Sequence, residues 1–321
     1  MRLIRARKIN EQKLAVEQPR GSLWRHTVSK SNNPMKNTLL ATVAALAGFC
    51  ATAQDRDFHL DKEYALSPTG TIHLNSGDAK VFVTGSRRST THVKIDYKVD
   101  VTGYASDRKF HVDVMETGGD LKIQEVKSAM GVKVVGMYTV SYRIEIEAPE
   151  GASLKFNGDD GHYTIKNVNG AIQIHADDAD VDLTGCKGNK FVFRMDDGDV
   201  RMDQGRGSLD IEGDDLDATI SNAAFTEILA DIDDGSLIIE TSLDNKGNYS
   251  FRSEDGTIAL TITKGGGEFF VRHDDTHVVT QGNFNTLEQS EDFKRVALAD
   301  GSAKVNIRAE DGRVRLIQAS R

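Results

Sequence analysis

The sequence predicts an all-β solenoid, a single-stranded β-helix-like chain with about 18–21 residues and two short strands per coil. Three observations predict it. Adjacent acids recur at Asp159-Asp160, Asp177-Asp178, Asp196-Asp197, Asp214-Asp215, Asp233-Asp234, Glu254-Asp255 and Asp274-Asp275, and the second members are 18, 19, 18, 19, 21 and 20 residues apart. Apolar residues stand three and five places after each second acid (Val181/Leu183, Val200/Met202, Leu237/Ile239), and six and four places before it (Ile172/Ile174, Phe191/Phe193, Tyr249/Phe251). A spacing of two is the period of a strand, whose alternate side chains share one face. Glycines at Gly170, Gly188, Gly207 and Gly247 mark a second turn in each repeat.

A hairpin meander also gives two strands per repeat, joined by tight Asp-Gly reversals. It would leave its apolar face bare. A solenoid buries that face between two opposed sheets and stacks equivalent residues in columns, which is the pattern observed.

The elements follow in chain order. Residues 1–34 are basic, show no apolar periodicity, and read as an upstream segment outside the folded protein. Residues 35–53, "MKNTLLATVAALAGFCATA", read as a secretory signal peptide: Lys36, a short apolar run, and Ala51-Thr52-Ala53 as the cleavage motif before Gln54. The run is too short to span a bilayer comfortably. Residues 54–150 alternate well in longer segments without the acidic ladder, and read as an N-terminal β region that caps the first coil. Within it, "SGDAKVFV" has the turn-then-strand form of the later coils. Residues 151–321 hold the solenoid repeats. Near their end "QGNFNTLEQSEDFKR" breaks the spacing and reads as a loop or short helix, with decayed acidic copies at Asp300 and Glu310-Asp311. "VNIRAEDGRVRLIQAS" then supplies charged strands to close the far end.

After removal of residues 1–53 the chain keeps 40 − 9 = 31 basic and 49 − 2 = 47 acidic residues, a net charge of −16 with His neutral. Nucleic acid and bare anionic lipid are therefore poor partners, while cations and basic partners fit. Only Cys186 remains, so no internal disulfide forms.

The coils after a long-stranded N-terminal part, with a Ser76-Gly77-Asp78 turn, resemble the bacterial adhesin-domain family of secreted β-strand-repeat proteins, whose biochemical function is unknown. The resemblance spans Gly70 to Leu316. It implies a β-repeat fold and surface binding, and it offers no catalytic residues. Most later turns depart from its Ser-Gly-Asp by reading Asp-Asp-Gly or Asp-Asp-x.

The paired acids have two readings. Asp before Gly is ordinary turn chemistry, because its carboxylate bonds turn amides, and Arg194, Arg201 and Arg252 are available as counter-charges. Alternatively, stacked carboxylates hold a hard cation such as Ca²⁺, which takes six to eight oxygens. The metal ligands would then be Asp177, Asp178, Asp196, Asp197, Asp214, Asp215, Asp233 and Asp234, where neighbours stand on both sides. No catalytic or cofactor-binding motif is visible. His273-Asp274-Asp275-Thr276-His277 is the one local irregularity, and reads as surface residues or a metal or acid–base site.

The function expected is a non-enzymatic exported scaffold, in the periplasm, on the outer cell surface or secreted, presenting a flat face to an envelope or surface ligand, protein or glycan. A glycan partner would call for an exposed aromatic row. Aromatics are only 7% of the chain, and Phe191, Phe193, Tyr249, Phe251 and Phe269 fall at inward positions. The alternatives are a structural or sensory envelope protein linked to a membrane regulator, and a polysaccharide-active β-helix enzyme using two carboxylates.

Overall fold

Every regular element among the described residues of the computed structural model is a strand, and each follows from the period-two pattern. The structure describes residues 57–105, 110–126 and 134–320, all within one compact unit. The proposed upstream segment and signal peptide lie outside the described residues. In chain order the strands are β1 (Phe58–Ala65), β2 (Thr71–Asn75), β3 (Ala79–Ser86), β4 (Thr90–Ala105), β5 (Val112–Thr117), β6 (Asp120–Glu125), β7 (Val134–Pro149), β8 (Ser153–Asn157) and β9 (Asp160–Lys166). There follow β10 (Ile172–Thr184), β11 (Lys190–Ser242), β12 (Asn248–Lys264), β13 (Gly267–His273), β14 (Thr276–Gln281), β15 (Phe284–Gln289), β16 (Phe293–Leu298) and β17 (Ala303–Gln318).

Equivalent positions of successive repeats pair in parallel. Ile172 stands beside Phe191 and Asp178 beside Asp197, and further along Ile228 stands beside Tyr249 and Asp234 beside Asp255. This is the solenoid that the repeat predicted. β11 runs for 53 residues without a break, because its extended backbone continues through the corners rather than ending at them. The apolar columns fill the space between the two sheets: Phe191, Phe193, Val200, Leu209, Ala218, Ile228, Leu237 and Tyr249 are fully buried. Burying each large side chain of this kind contributes roughly 1.5–3 kcal/mol. Cys186 is buried and free.

Glycine after the acidic pair answers a steric demand. Gly198 and Gly235 have φ of 122° and 111°, and a Cβ there would stand 2.1 Å from the Ala179 carbonyl oxygen and 2.4 Å from that of Leu216. Only glycine tolerates both the backbone conformation and the close approach.

The ends depart from chain order. β2 lies between β6 and β8, and β3 between β7 and β9, all in parallel. β4 and β1 add outside β7 as antiparallel strands. β4 and β7 run on beyond their other partners as a two-stranded ribbon, on which Met137 and Tyr138 are 79% and 59% exposed. At the other end β17 is not terminal. It pairs with β12 on one side and with β13 and β14 on the other. Glu310-Asp311 is therefore an internal rung between Glu254-Asp255 and Asp274-Asp275, not a decayed final copy. Asp300 sits in the turn before β17, with φ of 70°.

The segment expected to be a loop or short helix is the antiparallel hairpin β15–β16, added outside β13. Its reversal at Ser290–Asp292 separates two alternating runs, and Val296, Leu298 and Phe284 pack onto the last coil. The hairpin, not the charged final strand, covers that end, because β16 brings the apolar face that the last coil needs.

Candidate functional site

The ladder of paired acids forms one edge of the solenoid. Asp160, Asp178 and Asp197 are register partners, as are Asp234, Asp255 and Asp311. All eight predicted ligand positions, from Asp177 to Asp234, are exposed on this edge. The fold thus brings them into a row. Among the described residues, however, no three His, Cys, Asp or Glu side chains converge closely enough to hold a metal ion. The row is a stack of charges without a preformed cage.

The arginines answer the ladder only in part. Arg252 reaches one member, Glu254, at 2.7 Å. Arg194 instead binds Asp210 at 2.7 Å and Glu212 at 2.8 Å on the sheet face, and Arg201 binds Asp199 at 2.6 Å. The remaining repulsion is visible in the carboxyl groups. Asp234 is held above the ordinary carboxylate value, first by partial loss of hydration in the stacked turns and then by Asp255, Asp215 and Asp233. Asp311 is raised in the same way, with Asp255, Asp275, Asp274 and Glu310 as its charged neighbours.

A carboxyl raised in the folded state favours folding where it is protonated, and that advantage is lost as pH rises through its folded value. The double variant Asp234→Asn/Asp311→Asn is therefore expected to melt higher than the parent at neutral pH and low salt. The gain should shrink with added salt and vanish below the unfolded carboxylate value of about 3.8. Thermal melts across pH and salt check this. A lower melting temperature for the variant at neutral pH would show that these carboxylates stabilise the fold.

Among the described residues, two of the depressions lie along this edge. The larger, about 780 Å³, is lined by Arg272, His273, Asp274, Asp292, Arg308 and Glu310. It places the irregular His273-Asp274 at the junction of β13, β17 and the β15–β16 hairpin. The His273 amide donates to the Asp292 carbonyl at 3.0 Å, and Thr276 Oγ1 donates to the Glu310 carbonyl at 2.8 Å. His277 lies beyond the turn, exposed on β14. Arg252, Arg308 and Arg272 stand side by side across the strands, a basic row at one repeat position, three before the second acid, whose adjacency depends on β17 lying between β12 and β13.

The smaller depression, about 320 Å³, is lined by Asp177, Asp196 and Asp214 with His175, Arg194 and Glu212. Burial, then Arg194 and Lys155, push the His175 imidazole below its usual value.

The sheet that follows the acidic turns carries a second acidic feature. Asp180 and Asp199 are register partners on its outward face, with Asp182 and Asp217 nearby. Ser236 Oγ donates to Asp217 at 2.6 Å. Between residues 157 and 247 the chain has 21 Asp and Glu against 7 Lys and Arg, so this stretch repels anionic partners.

A family model described as Toastrack DUF4097 matches residues 69–317. Among solved structures, the chain is similar to a candidate adhesin from Bacteroides fragilis, at 12% identity over 81% of this chain and 97% of that one, with a TM-score of 0.33. It is similar to a candidate adhesin from Parabacteroides distasonis at 11% identity, over 82% and 97% of the two chains, with a TM-score of 0.34. A candidate lipid-binding protein from the same species gives 13% identity, 82% and 97% coverage and a TM-score of 0.33. No curated protein matches the chain.

Proposed function

We propose, from the premise that the chain belongs to the Toastrack DUF4097 family, that it is an exported, non-enzymatic scaffold that binds a basic surface of an envelope or extracellular partner. The observation that carries this reading is the outward acidic face of Asp180, Asp182, Asp199 and Asp217, set on strands continuous with the coil stack. A rigid sheet fixes the spacing of these carboxylates, so binding need not order them first. Arg201 stands on this face, paired with Asp199, but acids outnumber it, and an excess of negative charge steers a cationic partner and disfavours anionic ones. Export is supported by the leader pattern of residues 35–53. No helix among the described residues is long and apolar enough to cross a membrane.

The test compares two variants of equal charge change. Asp180→Asn/Asp199→Asn/Asp217→Asn is expected to weaken binding of immobilised full-length chain to a polylysine probe by about tenfold or more at low salt. Asp197→Asn/Asp215→Asn/Asp234→Asn on the ladder should weaken it less. Equal losses would mean that net charge rather than the face determines binding.

A further inference from the structure

The inside of the acidic corner changes character along the coil stack. Facing inward just before the turn are Ala176, Met195 and Ile232 in the central coils, all buried and apolar. In the first coils the same column reads Glu125, Ser76 and Gly158, because Asn75 pairs with both Gln124 and Asn157 and each next residue continues the register. Just after the turn, Tyr142, Ala79 and Gly161 form the facing column.

Three hydroxyls are buried in this corner without a hydrogen-bond partner: Ser76 Oγ, Tyr142 Oη and Tyr163 Oη. Ser76, Tyr142 and Tyr163 are 3%, 7% and 0% exposed. Buried polar atoms are nearly always satisfied, and each one left bare carries its full desolvation cost.

The surrounding groups supply charge. Glu125 Oε2 accepts a hydrogen bond from the Gly77 amide at 2.8 Å. A Cβ on Gly77 would stand 3.6 Å from that oxygen and 3.9 Å from Asp159 Oδ2, so the two carboxylates flank this glycine. Tyr163 Oη occupies the space beside Gly158, where a Cβ would stand 2.2 Å from it and 3.4 Å from the Ser76 carbonyl oxygen. Burial, then Asp159, push the Tyr163 hydroxyl up to about 12. Burial, then Glu125, raise that of Tyr142 as well. Both phenols therefore stay neutral.

We propose that this corner binds a hard divalent cation of the calcium class, with the Glu125 carboxylate and Ser76 Oγ as ligands, Asp159 as the second carboxylate, and the two tyrosine hydroxyls turned toward it. Oxygen donors of mixed charge, completed by water, are what such a cation takes. The cation gives the unpartnered hydroxyl oxygens something to face. The site is separate from the exposed Asp-Asp row of the central coils.

Terbium tests this on the full-length chain after EDTA dialysis, because tyrosines beside a bound Tb³⁺ sensitise its emission. Emission excited through tyrosine should saturate at about one ion per chain, and Ca²⁺ should compete. Glu125→Gln should weaken Tb³⁺ binding by about tenfold or more, and Tyr163→Phe should dim the emission of the bound ion. Asp196→Asn/Asp197→Asn/Asp214→Asn/Asp215→Asn should change neither. Ser76→Ala replaces Glu125→Gln if the latter loses its far-UV strand signal. Absence of emission, emission unchanged by the corner variants, or emission abolished by the central Asp→Asn variant would each overturn the proposal. In the first two cases ordered water fills the corner.

Discussion

A chain ending at Leu298 is expected to give no cooperative melt. The removed strand β17 is not a peripheral addition. It holds β12 on one side and β13 and β14 on the other, so its loss leaves unpaired strand edges in the middle of both sheets. It also removes Val305, Ile307, Val314 and Leu316, each at most 2% exposed. At roughly 1.5–3 kcal/mol apiece these four alone approach the 5–15 kcal/mol that a typical domain has in total. Ordinary terminal repeats of a solenoid contact one neighbour and fray at small cost. Far-UV circular dichroism melts of the truncated and full-length chains decide the matter. A cooperative transition within a few degrees of the parent would show that β17 is dispensable. Addition of a synthetic 299–320 peptide should restore the transition if the loss is one of pairing.

Phe193→Ala is expected to destabilise the fold by about 3–5 kcal/mol in urea unfolding. Phe193 is fully buried in the column beside Ile174, and close packing leaves no solvent to fill the space it vacates. Phe270→Ala is the matched control. That ring is only partly buried, on the outer face, with the Arg295 guanidinium 5.3 Å from its centroid, and its loss should cost under about 1.5 kcal/mol. Equal effects at the two positions would mean that inward and outward faces are wrongly assigned.

Both expectations rest on different kinds of legibility. The inward set was readable from the spacing of two around each acidic pair, and Ile172, Phe191, Leu209, Ile228, Tyr249 and Phe269 are all fully buried. The pattern weakens where the fold ends: Val278 is only partly buried and Val279 faces out at 38% exposure. The segment 281–295 breaks the spacing, yet it holds strands rather than a loop or short helix, because β15 and β16 pair antiparallel with a register shift between Thr286 and Glu288. A break in the parallel period says only that the next coil is not a copy. It does not say that the strands stop.

The candidate sites were less legible. The Asp-Asp row was visible because its members repeat in the sequence. The basic row of Arg252, Arg308 and Arg272 shares one repeat position, but the period does not say which coils adjoin, and the polar corner of Glu125, Ser76, Tyr142 and Tyr163 draws on first coils that lack the regular spacing and meet only through strand pairing.

By itself the sequence determined which residues are equivalent: the period sets the coil length, the alternation sets the buried face, and Asp-Asp-Gly sets the corner. Only the tertiary structure decided the order in which the coils stack. Parallel pairing between equivalent strands is satisfied by any neighbour with the right columns, so the period cannot choose among them. At both ends the chain places one coil between two others, β2–β3 between β6–β7 and β8–β9, and β17 between β12 and β13–β14. The choice falls to long-range contacts: the end coils need antiparallel strands and hairpins to cover their apolar faces, and the connections to those covers carry the chain past the end and back inside it.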